Sequence, residues 1–321
     1  MIRAAITAVG SGIPKKVLTN YDLEKMVDTS NEWIMERTGI RERRVTDEKT
    51  ATSDLAYEAG KKAIDNANFP ADKLELIIVT TSSPDMLFPS TACIVQDKLG
   101  AINSAAFDLS AACTGFNYGL AVASSLIESG MYKNVLVIGA DTLTKYLDWK
   151  DRNTCILFGD GAGAVLLQAK SDGTGILSSY LMAQGSGGKY LIMPGGGSRD
   201  PEIKKSRFIW MDGKEVFKFA IKALPESVEK AVAKAGLKAS DINLMIPHQA
   251  NLRIIDSALK RLGLPKEKAY VNLDRYGNTS AASIPIALNE AFNKKMIKKG
   301  DIVVLAGFGA GLTYGANVIK W

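Results

Sequence analysis

Short runs of apolar, largely β-branched residues recur along the chain and alternate with stretches whose apolar positions fall at helical spacing. The runs are Leu76-Ile-Ile-Val-Thr80, Val135-Leu-Val-Ile138, Ala164-Val-Leu-Leu167, Leu244-Met-Ile246 and Ile302-Val-Val-Leu305. Segments apolar at nearly every position predict strands covered by helices on both faces, and so an α/β protein. Of the helical patterns, Gly115–Ile127 is long and apolar. Gln249–Leu262 sets Leu252, Ile255, Leu259 and Leu262 on one stripe, with Arg253, Ser257, Lys260 and Arg261 off it.

These pieces repeat once, in order. Leu76 and Leu244 are 168 positions apart, and Asn134 and Asp301 are 167 apart. Between them, Phe107–Gly115 lines up with Val271–Thr279, which sets Asn278 opposite Cys113 at a spacing of 165. Two copies of one unit are expected, residues 1–170 and 171–321, joined rigidly at the polar turn Ser171-Asp-Gly-Thr-Gly175. Equivalent strand-to-helix junctions of such a duplicated unit face each other near its pseudo-twofold axis, and chemistry is expected there.

Composition narrows the setting. The 321 residues are 46% hydrophobic and 23% charged, and no apolar run approaches the roughly 20 residues that span a bilayer. The first residues, interrupted by Arg3 and running into Gly10-Ser-Gly-Ile-Pro14, read as a strand and turn rather than a signal peptide, which predicts a cytoplasmic protein with no membrane partner. Three cysteines, at 93, 113 and 155, have no metal-like spacing and fit free thiols. A net charge of +6 predicts an acidic partner. Aromatic residues, at 7%, do not interleave with the basic ones as a base-stacking platform requires, which speaks against nucleic acid.

Cys113 follows the strand-like Ala105–Leu109 and precedes a helical pattern. A thiol at a helix N-terminus is expected to have a lowered pKa. Cys93 and Cys155, within helical and strand-like apolar runs, read as packing. His248 is the only histidine and stands in Ile246-Pro-His-Gln-Ala-Asn251, where a strand gives way to a helix. A lone cysteine or histidine is ordinarily structural; these two gain weight because they and Asn278 all fall at strand ends of a repeated architecture. Gly307-Phe-Gly-Ala-Gly311 reads as a turn exposing N–H groups to a developing oxyanion. Phe158-Gly-Asp-Gly-Ala-Gly163 lacks a following Lys-Ser/Thr and runs into a strand, so it reads as a tight structural turn, not a phosphate cradle. Lys214, Lys218 and Lys222 form a second basic ridge at helical spacing.

Together, Asn31-Glu-Trp-Ile34, Arg37-Thr-Gly-Ile-Arg-Glu-Arg43, the Cys113 segment, Phe158–Ala164, Pro247-His-Gln-Ala-Asn-Leu-Arg253 and Gly277-Asn-Thr-Ser-Ala-Ala-Ser283 resemble the β-ketoacyl-acyl carrier protein synthase III family across essentially the whole chain. The resemblance implies a thiolase-like αβαβα sandwich forming a homodimer, with a Cys113-His248-Asn278 triad. It implies decarboxylating condensation of an acyl-CoA primer, acetyl or short and branched, with malonyl-acyl carrier protein. Coenzyme A thioester is then a substrate, and no metal or other cofactor is implied. The resemblance also assigns Trp33 and Arg152 to the coenzyme's adenine, Arg37 and Asn251 to its pantetheine path, and Arg253 and Lys218 to the carrier protein. Phe88 would cross the dimer interface to close the partner's primer pocket. Where the family's glycine-rich turn usually has a third glycine, this chain has Ala310, whose N–H completes an oxyanion hole with that of Cys113 if position 310 needs no positive φ. Elongating synthases use a second histidine and thiolases a late second cysteine; this chain has neither. A related condensing enzyme or acyltransferase of secondary metabolism is the alternative.

Overall fold

The computed structural model describes all 321 residues, Met1–Trp321. The chain opens with β1 (Arg3–Gly12), then pairs β2 (Lys16–Thr19) with β3 (Glu42–Val45) around α1 (Asn20–Glu24) and α2 (Asn31–Thr38). It continues through α3 (Thr52–Asn66), β4 (Leu76–Thr80), α4 (Thr91–Leu99), β5 (Ala105–Leu109), α5 (Gly115–Glu128), β6 (Asn134–Asp141), α6 (Arg152–Cys155) and β7 (Gly161–Lys170). There follow β8 (Gly175–Ala183), the short ribbon β9 (Leu191–Ile192) and β10 (Trp210–Met211), α7 (Gly213–Lys234), β11 (Leu244–Pro247) and α8 (Leu252–Leu262). The chain closes with α9 (Leu273–Tyr276), α10 (Ser283–Asn293), β12 (Ile302–Gly309) and β13 (Thr313–Lys320).

Two mixed sheets result, ordered β1-β7-β6-β4-β5 and β11-β12-β13-β8. The second repeats the first, with β8, β11, β12 and β13 standing for β1, β4, β6 and β7. The counterpart of β5 is reduced to a single bridge between Met245 and Ala269. Successive residues of a strand point to opposite faces, and in the inner strands β4, β6, β11 and β12 both faces are buried, whereas the edge strands β5 and β8 are partly exposed. In β4, Leu76 and Ile78 pack with Phe116 and Leu120 of α5 and Ile284 and Leu288 of α10 in a central layer. Ile77 and Val79 pack instead under Leu55 and Ala59 of α3 and Val95 of α4. On the second sheet, Met245 and Val304 meet Leu224 and Val228 of α7 and Ile255 and Leu259 of α8. The layers are therefore helix, sheet, helix, sheet, helix, which is why the strands are apolar at every position.

The turn at Phe158–Gly163 is structural, as expected. A Cβ on Gly159 would lie 2.4 Å from the Tyr276 carbonyl oxygen, and one on Gly163 would lie 2.7 Å from the Ile286 nitrogen, so glycine lets the second half pack onto the first. Three local expectations change. α8 begins at Leu252 because Asn251 caps it, its side chain accepting from Arg253 N, and the buried face is Ile254, Ile255, Ala258, Leu259 and Leu262, with Leu252 turned partly outward. Cys155 lies in a short helix rather than a strand. Gly307 and Gly309 belong to β12 itself.

Candidate active site

Cys113 stands where β5 has ended and α5 has not begun. Ala112, just before it, has φ 48°, a left-handed conformation that costs an L-residue roughly 1–2 kcal/mol, and one 3₁₀ turn, Ala112–Thr114, leads into α5. The other half holds this elbow: Thr313 Oγ1 donates to Ala111 O (3.0 Å) and Thr114 Oγ1 to Thr313 O (3.2 Å). β12 lies directly against it, for a Cβ on Gly309 would be 2.7 Å from Cys113 N. Ala310 is not among the residues of positive φ, so its methyl group brings no strain, and it lines a cavity together with Cys113. That cavity is mostly apolar, walled by Leu143, Phe158, Leu191, Ile192, Met193 and Ile209, with Ser82 and Ser280 beside them.

The thiol itself departs from expectation. Cys113 is 5% exposed, and burial pushes its pKa up to about 12, with the Asp141 carboxylate adding to the rise and the Ser280 hydroxyl opposing it. Loss of solvent outweighs the helix N-terminus because no cation accompanies the sulfur into the interior. The resting group is a thiol, not a thiolate.

His248 follows β11, its N–H donating to Ala306 O (2.8 Å). Its ring packs edge-on against Phe308 with centroids 5.3 Å apart, and Nδ1 lies 2.6 Å from Ser283 Oγ. Ser283 Oγ also accepts from Gln249 N (3.4 Å). With that oxygen already receiving one proton, the arrangement favours the serine hydroxyl donating to Nδ1, which puts the ring proton on Nε2. Burial pushes the His248 pKa down to about 3, so the ring is neutral. Asn278 is fixed through its backbone to Leu157 O (2.8 Å) and Gly159 N (3.0 Å), and its Oδ1 accepts from Ser280 N (2.9 Å). Its Nδ2 donates to no group in the chain. Cys113, His248 and Asn278 line one cavity, with Phe217 and Asn251 also in its wall.

One expectation about the repeat is corrected. Ser280 has φ 50° and begins a 3₁₀ turn, Ser280–Ala282, that leads into α10. Ala112, Cys113 and Gly115 thus correspond to Ser280, Ala281 and Ser283, each at the spacing of 168 set by β4 and β11. The counterpart of Cys113 is Ala281, not Asn278. The shrunken counterpart of β5 changes the path into the second elbow, so matching the segments by sequence slips three residues.

At the surface, Arg37 and Arg152 both stack on Trp33, 4.6 and 5.1 Å from the ring centroid, and Arg152 donates to Asp28 O (2.8 Å). Trp33 and Arg152, expected to flank the adenine, thus lie against each other at the surface. Asn251 Nδ2 donates to Arg37 O (2.9 Å), tying the cap of α8 to α2. Arg253 lies over the Phe217 ring (5.4 Å), and Lys218 is paired with Glu215 (2.7 Å). Phe88 stands apart from this cavity, 84% exposed. Sequence reasoning missed Ser283, Ser280 and Asp141; the spacing of three between Ser280 and Ser283, one helical turn, was the available signal.

Residues 107–185 match the family model of 3-oxoacyl-[acyl-carrier-protein (ACP)] synthase III, and residues 232–321 match the model of its C-terminal part. A β-ketoacyl-[acyl-carrier-protein] synthase III from Caldanaerobacter subterraneus subsp. tengcongensis is 58% identical over 325 residues, covering 100% of this chain and 98% of its own length. The chain belongs to the β-ketoacyl-acyl carrier protein synthase III family. The same-named protein of Syntrophomonas wolfei is 54% identical over 100% of this chain and 98% of its own length. The crystal structure of 3-oxoacyl-[acyl-carrier-protein] synthase III from Aquifex aeolicus superposes with a TM-score of 0.94 at 47% identity, covering 99% of this chain and 100% of that one. Synthases III are condensing acyltransferases that initiate fatty-acid synthesis, and the five-layered sandwich is their thiolase-like fold. The first family model spans Cys113; the second spans His248, Asn278 and Ala310.

Proposed function

We propose that Cys113 carries the acyl primer while His248 and Asn278 act on the malonyl unit. The carrying observation is the division of hydrogen bonds. His248 has Nδ1 engaged by Ser283, and Asn278 has Oδ1 engaged by Ser280, so each keeps an N–H free in the cavity that also holds Cys113.

In the first half-reaction the Cys113 sulfur attacks the thioester carbonyl of acyl-CoA, its proton passes through His248 to the departing coenzyme, and the backbone N–H groups of Cys113 and Ala310 receive the oxyanion. Acyl-cysteine and coenzyme A thiol result. In the second, the thioester carbonyl of malonyl-acyl carrier protein accepts from His248 and Asn278. Loss of CO₂ puts negative charge on that oxygen, and the enolate carbon attacks the acyl-cysteine, releasing β-ketoacyl-carrier protein and the Cys113 thiolate, which takes a proton from solvent to restore the thiol. Thioester activation and loss of CO₂ account for both steps, with acyl-CoA as substrate rather than cofactor. The apolar cavity beside Cys113 suits a short uncharged acyl chain.

The acidic carrier protein would dock at Arg253, which flanks the cavity-lining Phe217, and along Lys214, Lys218 and Lys222 of α7, where Glu215 already claims part of the Lys218 charge. A second copy of the chain would cover the open edge of β5, beside which Leu87, Phe88 and Ile102 are 80%, 84% and 77% exposed. Its Phe88 would then close the primer pocket. No helix is long and apolar enough to cross a membrane; a cytoplasmic setting would keep the three thiols reduced.

Intact mass tests the reading. A panel of acyl-CoA thioesters should label Cys113, and malonyl-acyl carrier protein should discharge the label with release of CO₂ and a β-ketoacyl product. Labelling without condensation would favour the acyltransferase alternative, and absence of labelling would remove the nucleophile.

A further inference from the structure

Each half places the end of one strand against the elbow of the other half. β12 ends against the turn carrying Cys113, and β6 ends against the turn carrying Ala281. Gly139 and Asp141 of β6 correspond to Gly307 and Gly309 of β12 at the spacing of 168. Both strand ends press on the facing elbow, at different points: a Cβ on Gly139 would lie 2.2 Å from Ala281 O and one on its counterpart Gly307 3.6 Å from Cys113 O, while one on Gly309 would lie 2.7 Å from Cys113 N. The last position differs. Gly309 carries nothing toward the N–H of Cys113, which no other residue accepts, whereas Asp141 sets Oδ2 3.1 Å from the N–H of Ala281.

We infer that the second half contains a duplicate of the oxyanion hole whose donors are both engaged within the chain, Ala281 N by the Asp141 side chain and Thr142 N, the counterpart of Ala310 N, by Ser83 Oγ (2.8 Å), and that Asp141 is thereby the positioning residue for the two malonyl donors. The inference rests on the roles given above to His248 and Asn278. Asp141 is fully buried and has no cation within ion-pair distance. Its contacts are all donors: Thr81 Oγ1 (3.1 Å), Ser82 N (2.8 Å) and Ser83 Oγ (2.8 Å) meet Oδ1, and Ala281 N meets Oδ2. Burial raises the Asp141 pKa and these donors, with the Ser280 hydroxyl, oppose the rise, while the same contacts make the side chain a staple between the loop after β4 and the elbow before α10. Between Asn278 and Ser283 lies only that elbow. Ser280 N holds the Asn278 side chain, and Ser283 holds the His248 ring. The left-handed Ser280 persists only while its surroundings hold it, and the Ala281–Asp141 bond is the hold from the opposite half. The Cys113 elbow is tied separately, through Thr313.

The two half-reactions should therefore part company in Asp141→Asn. Acylation of Cys113 by acetyl-CoA, followed by intact mass, is expected to stay within about threefold of the parent, since the change also removes a negative charge that opposes ionisation of the sulfur. Release of CO₂ from malonyl-acyl carrier protein is expected to fall at least about tenfold. Asp141→Asn combined with Asn278→Ala should lose less CO₂ release than the product of the two single losses, because part of the Asp141 effect acts through Asn278. Equal loss in both half-reactions, full additivity in the double variant, or unchanged CO₂ release would overturn the assignment. Should Asp141→Asn lack a cooperative melt, Asp141→Ser takes its place with the same expectations, and failure of both to fold reduces Asp141 to a purely structural role. If Asn278→Ala alone leaves CO₂ release intact, the reading of the donors fails and the positioning role fails with it; if Asn278→Ala loses CO₂ release and Asp141→Asn does not, the inference about Asp141 alone fails.

Discussion

The backbone of Gly309 touches the backbone of Cys113: a side chain at 309 would put its Cβ 2.7 Å from the Cys113 nitrogen and 2.9 Å from the Cys113 Cβ. A methyl group there must displace either β12 or the elbow, and both carry a donor of the proposed oxyanion hole. Gly309→Ala should therefore keep the fold, since β12 is anchored along its length by β11 and β13, yet slow acylation of Cys113 by roughly 10²–10³, the scale of losing one oxyanion donor. The check is the rate of mass gain with acyl-CoA in a variant whose melt remains cooperative. Acylation at the parental rate would show that the contact is loose.

His248→Ala and Asn278→Ala should separate the half-reactions. Each removes an N–H made available for the malonyl carbonyl, where charge develops on loss of CO₂, while the Cys113 and Ala310 N–H groups stay in place. CO₂ release is expected to fall by about 10² or more in both variants, and Asn278→Ala should acylate nearly as fast as the parent. His248→Ala should acylate more slowly because it also loses the proton carrier. Equal loss of both half-reactions in Asn278→Ala would refute the division of roles.

Much of this was legible in the chain. Strands apolar at every position announced sheets buried on both faces, and the spacing near 168 announced the duplication and its axis. Cys113 and His248 stood out by their place at strand ends; Asn278, expected at a third, instead follows the short helix α9 and makes a single bridge to Phe158. The register of the two elbows was not legible, because the counterpart of β5 survives only as the Met245–Ala269 bridge. Nor was the state of the thiol: burial is a property of the packed molecule, and it reverses what a helix N-terminus alone implies. Asp141 was hidden for the same reason, its bond to Ala281 joining residues 140 positions apart.

Stability in acid should depend on Glu290. Its carboxylate accepts from Arg275 (2.8 and 2.6 Å), Tyr276 (2.7 Å), Tyr270 (2.9 Å) and Asn272 (3.1 Å), joining α10 to the segment that leads to Asn278. Burial acts to raise its pKa, but the Arg275, Tyr276 and Asn272 donors prevail and hold it at about 2, below the ordinary 4.5. A depressed native pKa contributes stability above the unfolded value and loses it as the pH falls through the native one. Between about pH 4.5 and 2 the protein should lose on the order of 1–2 kcal/mol through this group, after allowance for its partial exposure. Glu290→Gln should be less stable at pH 7 and show a shallower decline in that window by denaturant titration. An unchanged slope would show that the cluster is not coupled to folding.

Cys113 should behave as an unactivated thiol until substrate binds. A pKa pushed up to about 12 leaves the thiolate a trace at neutral pH, and the neutral His248, pushed down to about 3, is no resting partner for it. Ionisation of either group alone carries a full burial penalty; only transfer of the proton from one to the other, with the oxyanion forming at the backbone N–H groups, offsets it. In the free protein, alkylation of Cys113 by iodoacetamide, followed by mapping so that the exposed Cys93 is read separately, should keep rising about tenfold per pH unit to pH 10. Acylation by acyl-CoA should be far less steep, because there the proton leaves during attack rather than before it. A plateau of alkylation near pH 7 would instead mean a preformed thiolate, and the helix N-terminus would have outweighed burial after all.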